Sequence, residues 1–202
     1  MKVTNMVLGP ISTNTYIAYN EETRECFVVD PAAACHMIVS KIEELELTPV
    51  AVLLTHGHFD HIGAADELRA RFGIKIYAMG EEKQILETDN NLGHMIRKPL
   101  TLSADEFLCD GEELTLIGEN IRVIGTPGHT IGSCCYYIQA GKTLFSGDTL
   151  FCNSHGRYDF PTGSYSDKIS SIKDKLLKLP DDVRVLPGHG DETTIGFERG
   201  NY

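Results

Sequence analysis

The feature that most constrains this chain is the segment THGHFDH at residues 55–61. It places three imidazoles and one carboxylate within six residues, directly after the apolar run VAVLL at residues 50–54. Neutral imidazole and carboxylate are the donors that zinc and its first-row neighbours prefer in proteins. Such a density of donors at the end of a predicted strand predicts a metal site, and therefore a fold that can build one.

Three further candidate ligands lie downstream, each in a turn that contains glycine. They are His129 in TPGHT, Asp148 in SGDT and His189 in PGHG. With the first segment, the chain offers seven donor side chains: His56, His58, Asp60, His61, His129, Asp148 and His189. Seven donors are enough for two divalent ions that share one carboxylate.

The spacing of these donors divides them between two ions. In an extended segment, side chains two residues apart point to the same face, so His56 and His58 can bind one ion together with His129. The donors that follow the predicted turn of the chain face another direction and can bind a second ion: Asp60, His61 and His189.

Asp148 is then the candidate bridging ligand, with one carboxylate oxygen for each metal. Ions bridged in this way lie about 3.5–4 Å apart in two-metal hydrolases. A water shared by two divalent cations loses a proton readily, and the resulting metal-bound hydroxide is the expected nucleophile. The catalytic assignment therefore goes to Asp60 and Asp148, which bind the ions that activate this hydroxide.

The length and charge of the chain restrict which classes of protein function are expected. The 202 residues suffice for one compact domain, which we expect to span residues 1–202. The formal net charge is −11 and Lys and Arg do not cluster, so nucleic-acid binding is not expected. No apolar run approaches the ~18 residues of a transmembrane helix, so no membrane partner is expected. The N-terminus lacks the apolar core of a signal peptide, which predicts a cytoplasmic protein.

The chain alternates between short predicted strands and predicted helices. Strands are predicted at residues 3–8, 14–19, 26–30, 50–54, 74–78, 112–117, 121–125, 133–139, 143–147 and 183–186. Helices are predicted at residues 35–46, 62–72, 80–88 and 166–179, the last with Ser166 as its N-cap. Residues 88–110 show no clear periodicity. Every candidate ligand follows a strand, and the pattern predicts an α+β fold of two packed sheets with helices outside.

The ordered series H-x-H-x-D-H, TPGHT, GDT and PGHG resembles the ligand series of the metallo-β-lactamase superfamily along nearly the whole chain. The resemblance implies a four-layer αββα sandwich with two metal ions at one edge. It implies the same division of ligands, with Asp148 as the bridge. The implied cofactors are two divalent ions, zinc in the first place, with iron or manganese as alternatives.

Within the superfamily, LFSGDTLF at 144–151 and GRYDFPTG at 156–163 resemble the site loops of small glyoxalase II-like hydrolases. That resemblance implies a thioesterase acting on S-hydroxyacylglutathione-like thioesters, with a small-molecule thioester as its partner. Full-length glyoxalase II enzymes carry a C-terminal helical domain that contributes to glutathione binding. This chain ends 13 residues after His189, so the acyl group and the thiol carrier stay open.

Two residues of the second loop are candidate substrate contacts. The planar guanidinium of Arg157 suits a substrate carboxylate, and the alternative is a local pair with Asp159. Tyr158 is a further candidate at the same place.

Other reactions known in the superfamily remain open from the motifs. A mono-iron persulfide dioxygenase would use His56, His129 and Asp148, the two-His-one-carboxylate set suited to oxygen chemistry. Lactonases share all of the ligands. True β-lactamases usually lack an aspartate at the position of Asp148 and are exported, so β-lactam hydrolysis is not expected.

Overall fold

A computed structural model describes residues 1–96 and 100–202. In this part of the chain, the first sheet has six strands in chain order: β1 (Lys2–Leu8), β2 (Thr13–Tyr19), β3 (Glu25–Val29), β4 (Thr48–Leu53), β5 (Lys75–Met79) and β6 (Glu106–Leu108). The second sheet has six in the order β12-β11-β10-β9-β8-β7: β7 (Glu113–Leu116), β8 (Glu119–Gly125), β9 (Cys134–Ile138), β10 (Thr143–Gly147), β11 (Arg184–Pro187) and β12 (Thr193–Thr194). The α-helices are α1 (Cys35–Glu44), α2 (Phe59–Ile62), α3 (Ala65–Phe72), α4 (Lys83–Leu86), α5 (Tyr165–Ser170) and α6 (Ile195–Glu198).

Alternation along the strands divides the apolar side chains between the two faces of each sheet. In β2, Tyr16 and Ala18 pack between the sheets, while Ile17 packs toward the helices on the outside. In β9, Tyr136 packs between the sheets and Tyr137 packs on the outer face. Helices α1 and α3 cover the first sheet, and the turns that continue α5 cover the second together with α6. The layers are therefore helix, sheet, sheet and helix, which confirms the predicted αββα sandwich.

Parallel pairs of strands bring the candidate ligands to one edge of this sandwich. Strands β3 and β4 run parallel in the first sheet, and β10 and β11 run parallel in the second. The loops after their carboxyl ends meet, because Gly188 N donates to Gly147 O at 2.8 Å and Thr55 N donates to the Asp30 side chain at 2.8 Å. Six of the seven candidate ligands follow β4, β10 or β11, and His129 follows β8, so the topology places all of them in one region. No described helix is long and apolar enough to cross a bilayer.

The helix predicted at residues 62–72 is interrupted. The chain forms α2, which ends at Ile62, and then α3, which begins at Ala65. Between them, a Cβ on Gly63 would lie 2.3 Å from the carbonyl oxygen of Ala32. Glycine is therefore required there, and Ala64 N donates to Pro31 O at 2.9 Å rather than continuing the helix. Local periodicity gives no sign of a contact with a residue 31 positions away.

The helix predicted at residues 166–179 begins earlier and is less regular than expected. Its N-cap is Ser164 rather than Ser166, because the Ser164 hydroxyl accepts a hydrogen bond from Asp167 N at 3.3 Å. After α5 the helix widens into a π turn over Ser171–Lys175 and tightens into a 3-10 turn over Leu176–Lys178. Two serines near the start satisfy the same capping rule, so the sequence alone could not choose between them.

The segment at residues 88–110 contains two 3-10 turns, Asp89–Asn91 and Gly93–Ile96, followed by β6 at the edge of the first sheet. Residues 97–99 of this segment lie outside the described residues. Leu92 and Met95 line the cavity above the candidate ligands. The segment without periodicity therefore forms one wall of the site.

Candidate metal centre

The first ligand segment changes from extended to helical backbone within a few residues. His58 is the N-cap of α2 and has an extended conformation, with φ −66° and ψ 148°. Asp60 and His61 lie in the single turn of α2 itself. The change of backbone conformation turns the side chains after Phe59 away from those before it, so the segment contributes to two different groups of donors.

The candidate ligands converge into two groups around a shared carboxylate. Within each group the donor atoms lie within 4.8 Å of one another: His56, His58 and His129 in the first group, and Asp60, His61 and His189 in the second group. Asp148 lies between them, with Oδ2 3.5 Å from His129 Nε2 and Oδ1 3.4 Å from His61 Nε2. One carboxylate thus contacts both groups.

Several donor atoms of this cluster are buried and have no hydrogen-bond partner in the described part of the chain. They are Nε2 of His56, His58 and His61, and Oδ1 of Asp148. Leaving a buried polar atom unpaired costs about 1–3 kcal/mol, so such atoms are rare in folded proteins. Four of them in one cluster of imidazole and carboxylate fit a site that divalent cations complete.

Asp30, at the end of β3, supports the cluster from behind, and it was not predicted from the sequence. Its Oδ2 accepts hydrogen bonds from His61 Nδ1 at 2.9 Å and from Thr55 Oγ1 at 2.6 Å, and its Oδ1 accepts from Thr55 N at 2.8 Å. Asp30 is also close enough to His56 and His61 to share a metal with them. Because its oxygens are already occupied, we assign it to orienting the His61 ring, as carboxylates beside metal-binding imidazoles commonly do.

The remaining donors are oriented by similar contacts. Thr13 Oγ1 donates to Asp60 Oδ2 at 2.9 Å, and His129 Nδ1 donates to the carbonyl of Arg157 at 2.6 Å. The loop that carries His189 approaches Asp148 closely, since a Cβ on Gly188 would lie 2.3 Å from Asp148 Oδ1. The glycine before His189 is therefore a steric requirement of the site.

Burial and neighbouring charges set the protonation of the imidazoles. Burial lowers the pKa of His56 well below its usual value and that of His58 to about 3, so both are neutral and available as ligands near pH 7. At His61 burial acts in the same direction, but the neighbouring carboxylates, Asp60 foremost, outweigh it and raise the pKa well above its usual value. Since metals bind neutral imidazole, ion binding must displace this proton from His61.

A buried lysine lies beside the bridging carboxylate, and it too was not predicted from the sequence. Lys168 is fully buried, and its Nζ donates a hydrogen bond to the backbone carbonyl of Asp148. Burial lowers the pKa of Lys168 to about 8, although the charge of Asp148 opposes the shift. In the sequence, a lysine in a polar stretch of a predicted helix indicates a solvent-exposed residue, so nothing there marked it.

The stability of the wild-type protein relative to Lys168→Met is expected to increase as pH rises. Lysine titrates near 10.5 in the unfolded chain but near 8 in the fold, so between these values the unfolded chain binds the additional proton. The difference in unfolding free energy between the wild type and the variant should therefore shift by about 3 kcal/mol in favour of the wild type between about pH 7 and pH 10.5. Urea unfolding of both metal-free proteins measures the difference. A difference independent of pH would contradict burial of this charge.

The ligand cluster forms the floor of a cavity of about 370 Å³. His58, His129 and Asp148 are among the polar residues on its floor. Its walls are largely apolar and come from several loops: Ile11, Phe59, Leu92, Met95, Phe151 and Phe160. The cavity can therefore bind an organic molecule whose polar group faces the donors and whose apolar part contacts the walls.

The two candidate substrate contacts differ in position. Arg157 lines the cavity, but its guanidinium forms a paired contact with Asp159, at 2.8 Å and 2.7 Å, and lies 4.3 Å from the ring centre of Phe160. The local pair that was the alternative is therefore formed, and a substrate contact by Arg157 stays a prediction. Tyr158 is not among the cavity-lining residues of the described chain, and its ring packs 4.9 Å from that of Tyr165.

Comparison with known proteins identifies the family. The family model described as the metallo-beta-lactamase superfamily matches residues 8–189. The chain belongs to this superfamily. A probable metallo-hydrolase of Bacillus subtilis, YqgX, is 39% identical over 98% of this chain and 95% of its own length. The hydroxyacylglutathione hydrolase GloC of Haemophilus influenzae is 38% identical over 96% of this chain and 95% of its own length.

Two solved structures are similar to this chain along nearly its whole length. The B3 metallo-beta-lactamase BLEG-1 has a TM-score of 0.93 and 39% identity, covering 98% of this chain and 97% of that one. TTHA1623, solved in a di-iron-bound form, has a TM-score of 0.87 and 32% identity, covering 97% and 96%. The chain is therefore a metallo-hydrolase of this superfamily whose His and Asp groups suit divalent ions.

Proposed function

We propose that this metallo-hydrolase is a thioesterase that cleaves small thioesters of the S-hydroxyacylglutathione type. The observation that carries the proposal is the convergence of two donor groups and a shared Asp148 at the floor of a cavity with apolar walls. The substrate class is supported by the 38% identity to a hydroxyacylglutathione hydrolase along nearly the whole chain. The products would be a hydroxy acid and a free thiol.

In this proposal the first donor group would hold one ion and the second group the other, and Asp148 lies close enough to both groups to contribute to each. Two divalent ions bound here would lower the pKa of a shared water toward neutrality and polarise the substrate carbonyl. Asp60 and Asp148 would offset part of the positive charge of two such ions. Thr13 orients Asp60 through its 2.9 Å hydrogen bond, so the geometry of the second group is fixed before the ion arrives.

The cavity walls complete the proposed chemistry by positioning the substrate. Phe160 and Met95 offer apolar surface to the acyl chain or the carbon skeleton of the thiol, and this contact excludes bulk water from the carbonyl. One water is consumed: its hydroxyl forms the new C–O bond at the carbonyl carbon, the C–S bond breaks, and the remaining proton balances the departing thiolate. Residues of the chain are needed only to bind and orient the reactants.

Zinc is the metal we propose, because its preferred ligands are the imidazoles and carboxylates present here. The same donors also suit iron, and TTHA1623 was solved in a di-iron-bound form. Hydrolysis of a thioester needs no change in the oxidation state of the metal, so the proposed reaction is compatible with either ion.

A second candidate function is β-lactam hydrolysis, which the motifs did not lead us to expect. The observation that favours it is the similarity to BLEG-1, a B3 metallo-beta-lactamase, at a TM-score of 0.93 and 39% identity. Both reactions add water to a carbonyl, so the same floor of donors could serve either one. The two functions differ in the bond that breaks, which makes them separable by assay.

The zinc-reconstituted protein is expected to release thiol from S-lactoylglutathione under anaerobic conditions, at a kcat of roughly 1–1,000 s⁻¹. A chelator should abolish release and added zinc should restore it, because the water is activated only between bound ions. Thiol appearance can be followed with a disulfide dye, with nitrocefin as the parallel β-lactam substrate. Absence of thiol release together with rapid nitrocefin hydrolysis would overturn the thioesterase proposal in favour of the second candidate.

A further inference from the structure

Glu82 is a fully buried carboxylate that the proposed chemistry leaves without a role. It is the last residue of the 3-10 turn Gly80–Glu82, between the end of β5 and the start of α4. Among the described residues, Glu82 forms no salt bridge; its partners are hydrogen-bond donors, and the charge of the neighbouring Glu81 raises its pKa further. A buried carboxylate is costly without compensation, so the donors around it must offset its desolvation.

The two oxygens of Glu82 contact the two loops that carry the first donor group. Oε1 accepts a hydrogen bond at 2.8 Å from the backbone N–H of Gly57, the residue between His56 and His58. Oε2 accepts a hydrogen bond at 2.9 Å from the hydroxyl of Thr130, the residue directly after His129. The first loop follows a strand of one sheet and the second follows a strand of the other. One planar group therefore connects the two sheets directly behind the three imidazoles.

The second loop lies unusually close to this carboxylate. A Cβ on Gly132 would lie 2.4 Å from Glu82 N and 2.6 Å from Oε2, so residue 132 must be glycine for the contact to exist. Burial raises the pKa of Glu82 to about 7, against the opposing effect of the hydrogen bonds from Gly57 and Thr130.

An apolar residue could not replace Glu82 without cost, because the N–H group of Gly57 and the hydroxyl of Thr130 would then lose this acceptor. A buried donor without an acceptor destabilises the fold. The carboxylate satisfies donors from both loops at once, and its planar shape fixes the distance between them. The loops could not shift relative to each other without breaking one of these bonds.

We infer that Glu82 is a positioning residue that sets the spacing between the His56–His58 pair and His129. It thereby sets the affinity of the first donor group for a metal ion, the first metal position. This inference rests on the metal-binding part of the proposed function and does not depend on the substrate. The second donor group is oriented by other residues, Asp30 and Thr13. Loss of Glu82 should therefore weaken one metal position and leave the other nearly unchanged.

The test uses Glu82→Gln in two backgrounds that each retain one metal position. Asp60→Asn disables the second donor group, and His58→Ala disables the first. Cobalt(II) is titrated into each metal-free protein in competition with a chromophoric chelator, and the visible absorption of the bound ion is recorded. With Asp60→Asn, Glu82→Gln should weaken cobalt binding about 10- to 100-fold, the range for partners of metal ligands, and should alter the spectrum. With His58→Ala, affinity should change by less than about twofold.

Matched variants separate positioning from a general effect on the fold. Glu81→Gln removes a charge from the exposed neighbour in the same turn and should leave both affinities unchanged. Thr130→Val removes one of the two loop contacts and should reproduce part of the Glu82→Gln effect, whereas Thr130→Ser, which retains the hydroxyl, should bind cobalt like the wild type. This pair also tests the inference if Glu82→Gln does not fold.

The outcomes distinguish this inference from the proposed function. Equal weakening in both backgrounds, or unchanged affinity in the Asp60→Asn background, would overturn the positioning role while leaving the metal centre intact. A wild-type protein that binds no cobalt at all would overturn the proposed function, and the inference would fall with it.

Discussion

Replacing Asp148 with asparagine is expected to reduce thioester turnover by more than about 100-fold. This loss is larger than the one expected from removing a residue that only hydrogen-bonds to a metal ligand. Asp148 lies within 3.5 Å of His129 on one side and 3.4 Å of His61 on the other, so it is placed to contact both metal positions. Asparagine has nearly the same shape but no negative charge and only one oxygen. It cannot contribute a charged oxygen to each of two ions, so the ions should separate or one should leave.

The measurement combines kcat/KM with the metal content of the same preparation. Asp182→Asn is the matched control, since Asp182 is an exposed residue paired with Lys142 on the surface. The control should retain full turnover and full metal content. Asp148→Asn should unfold at a similar or higher urea concentration when metal-free, because it removes a carboxylate whose burial is only partly offset by His61, His189 and Lys168. Near-wild-type turnover in Asp148→Asn would contradict the bridging role of Asp148.

The fold was predictable because its signals are local. Short apolar runs mark strands such as β2, where Tyr16 and Ile17 face opposite layers. The candidate ligands were also predictable, since the donor density of the segment at residues 55–61 is typical of a metal site and of little else. Close contacts between segments that are distant in the sequence could not be predicted from local patterns. The break at Gly63 follows from a contact with Ala32, far away in the sequence.

The residues that orient the cluster were not predictable for a related reason. Asp30 ends a strand beside a proline, a common place for an aspartate in a turn, and only the parallel pairing of β3 and β4 brings it to His61. Glu82 and Lys168 are charged residues in helical or turn segments, which usually face solvent. Glu82 is buried against a loop of the opposite sheet, and Lys168 is buried against the loops that carry His129 and Asp148. Metal ligands have recognisable spacing in sequence, whereas their partners come from anywhere that the fold brings near.

Asp30→Asn is expected to weaken metal binding by about 10- to 100-fold, chiefly at the second donor group. The Asp30 carboxylate accepts three hydrogen bonds, two from Thr55 and one from His61 Nδ1. Asparagine can accept the bond from Thr55 N, but its amide NH₂ would face the Thr55 hydroxyl and the His61 ring. Two donors would then oppose each other inside the protein, and the His61 ring should rotate away from Asp60.

The same variant should also release fewer protons when it binds a metal ion. Neighbouring carboxylates, including Asp30, raise the pKa of His61, so in the wild type an ion must displace a proton from this ring. Without the charge of Asp30 the pKa of His61 falls, and fewer protons should be released when the ion binds near pH 7. Calorimetry in two buffers of different ionisation enthalpy measures both affinity and proton release.

Metal affinity and proton release together distinguish a role of Asp30 in orienting His61 from a simple loss of stability. Asp174→Asn, at an exposed position after α5, is the control and should alter neither quantity. A variant that was only less stable would bind metal more weakly but would release as many protons as the wild type, because His61 would keep its partner. Weaker binding together with reduced proton release can arise only if Asp30 acts on the His61 ring. Unchanged affinity would show that His61 keeps its orientation without the Asp30 carboxylate.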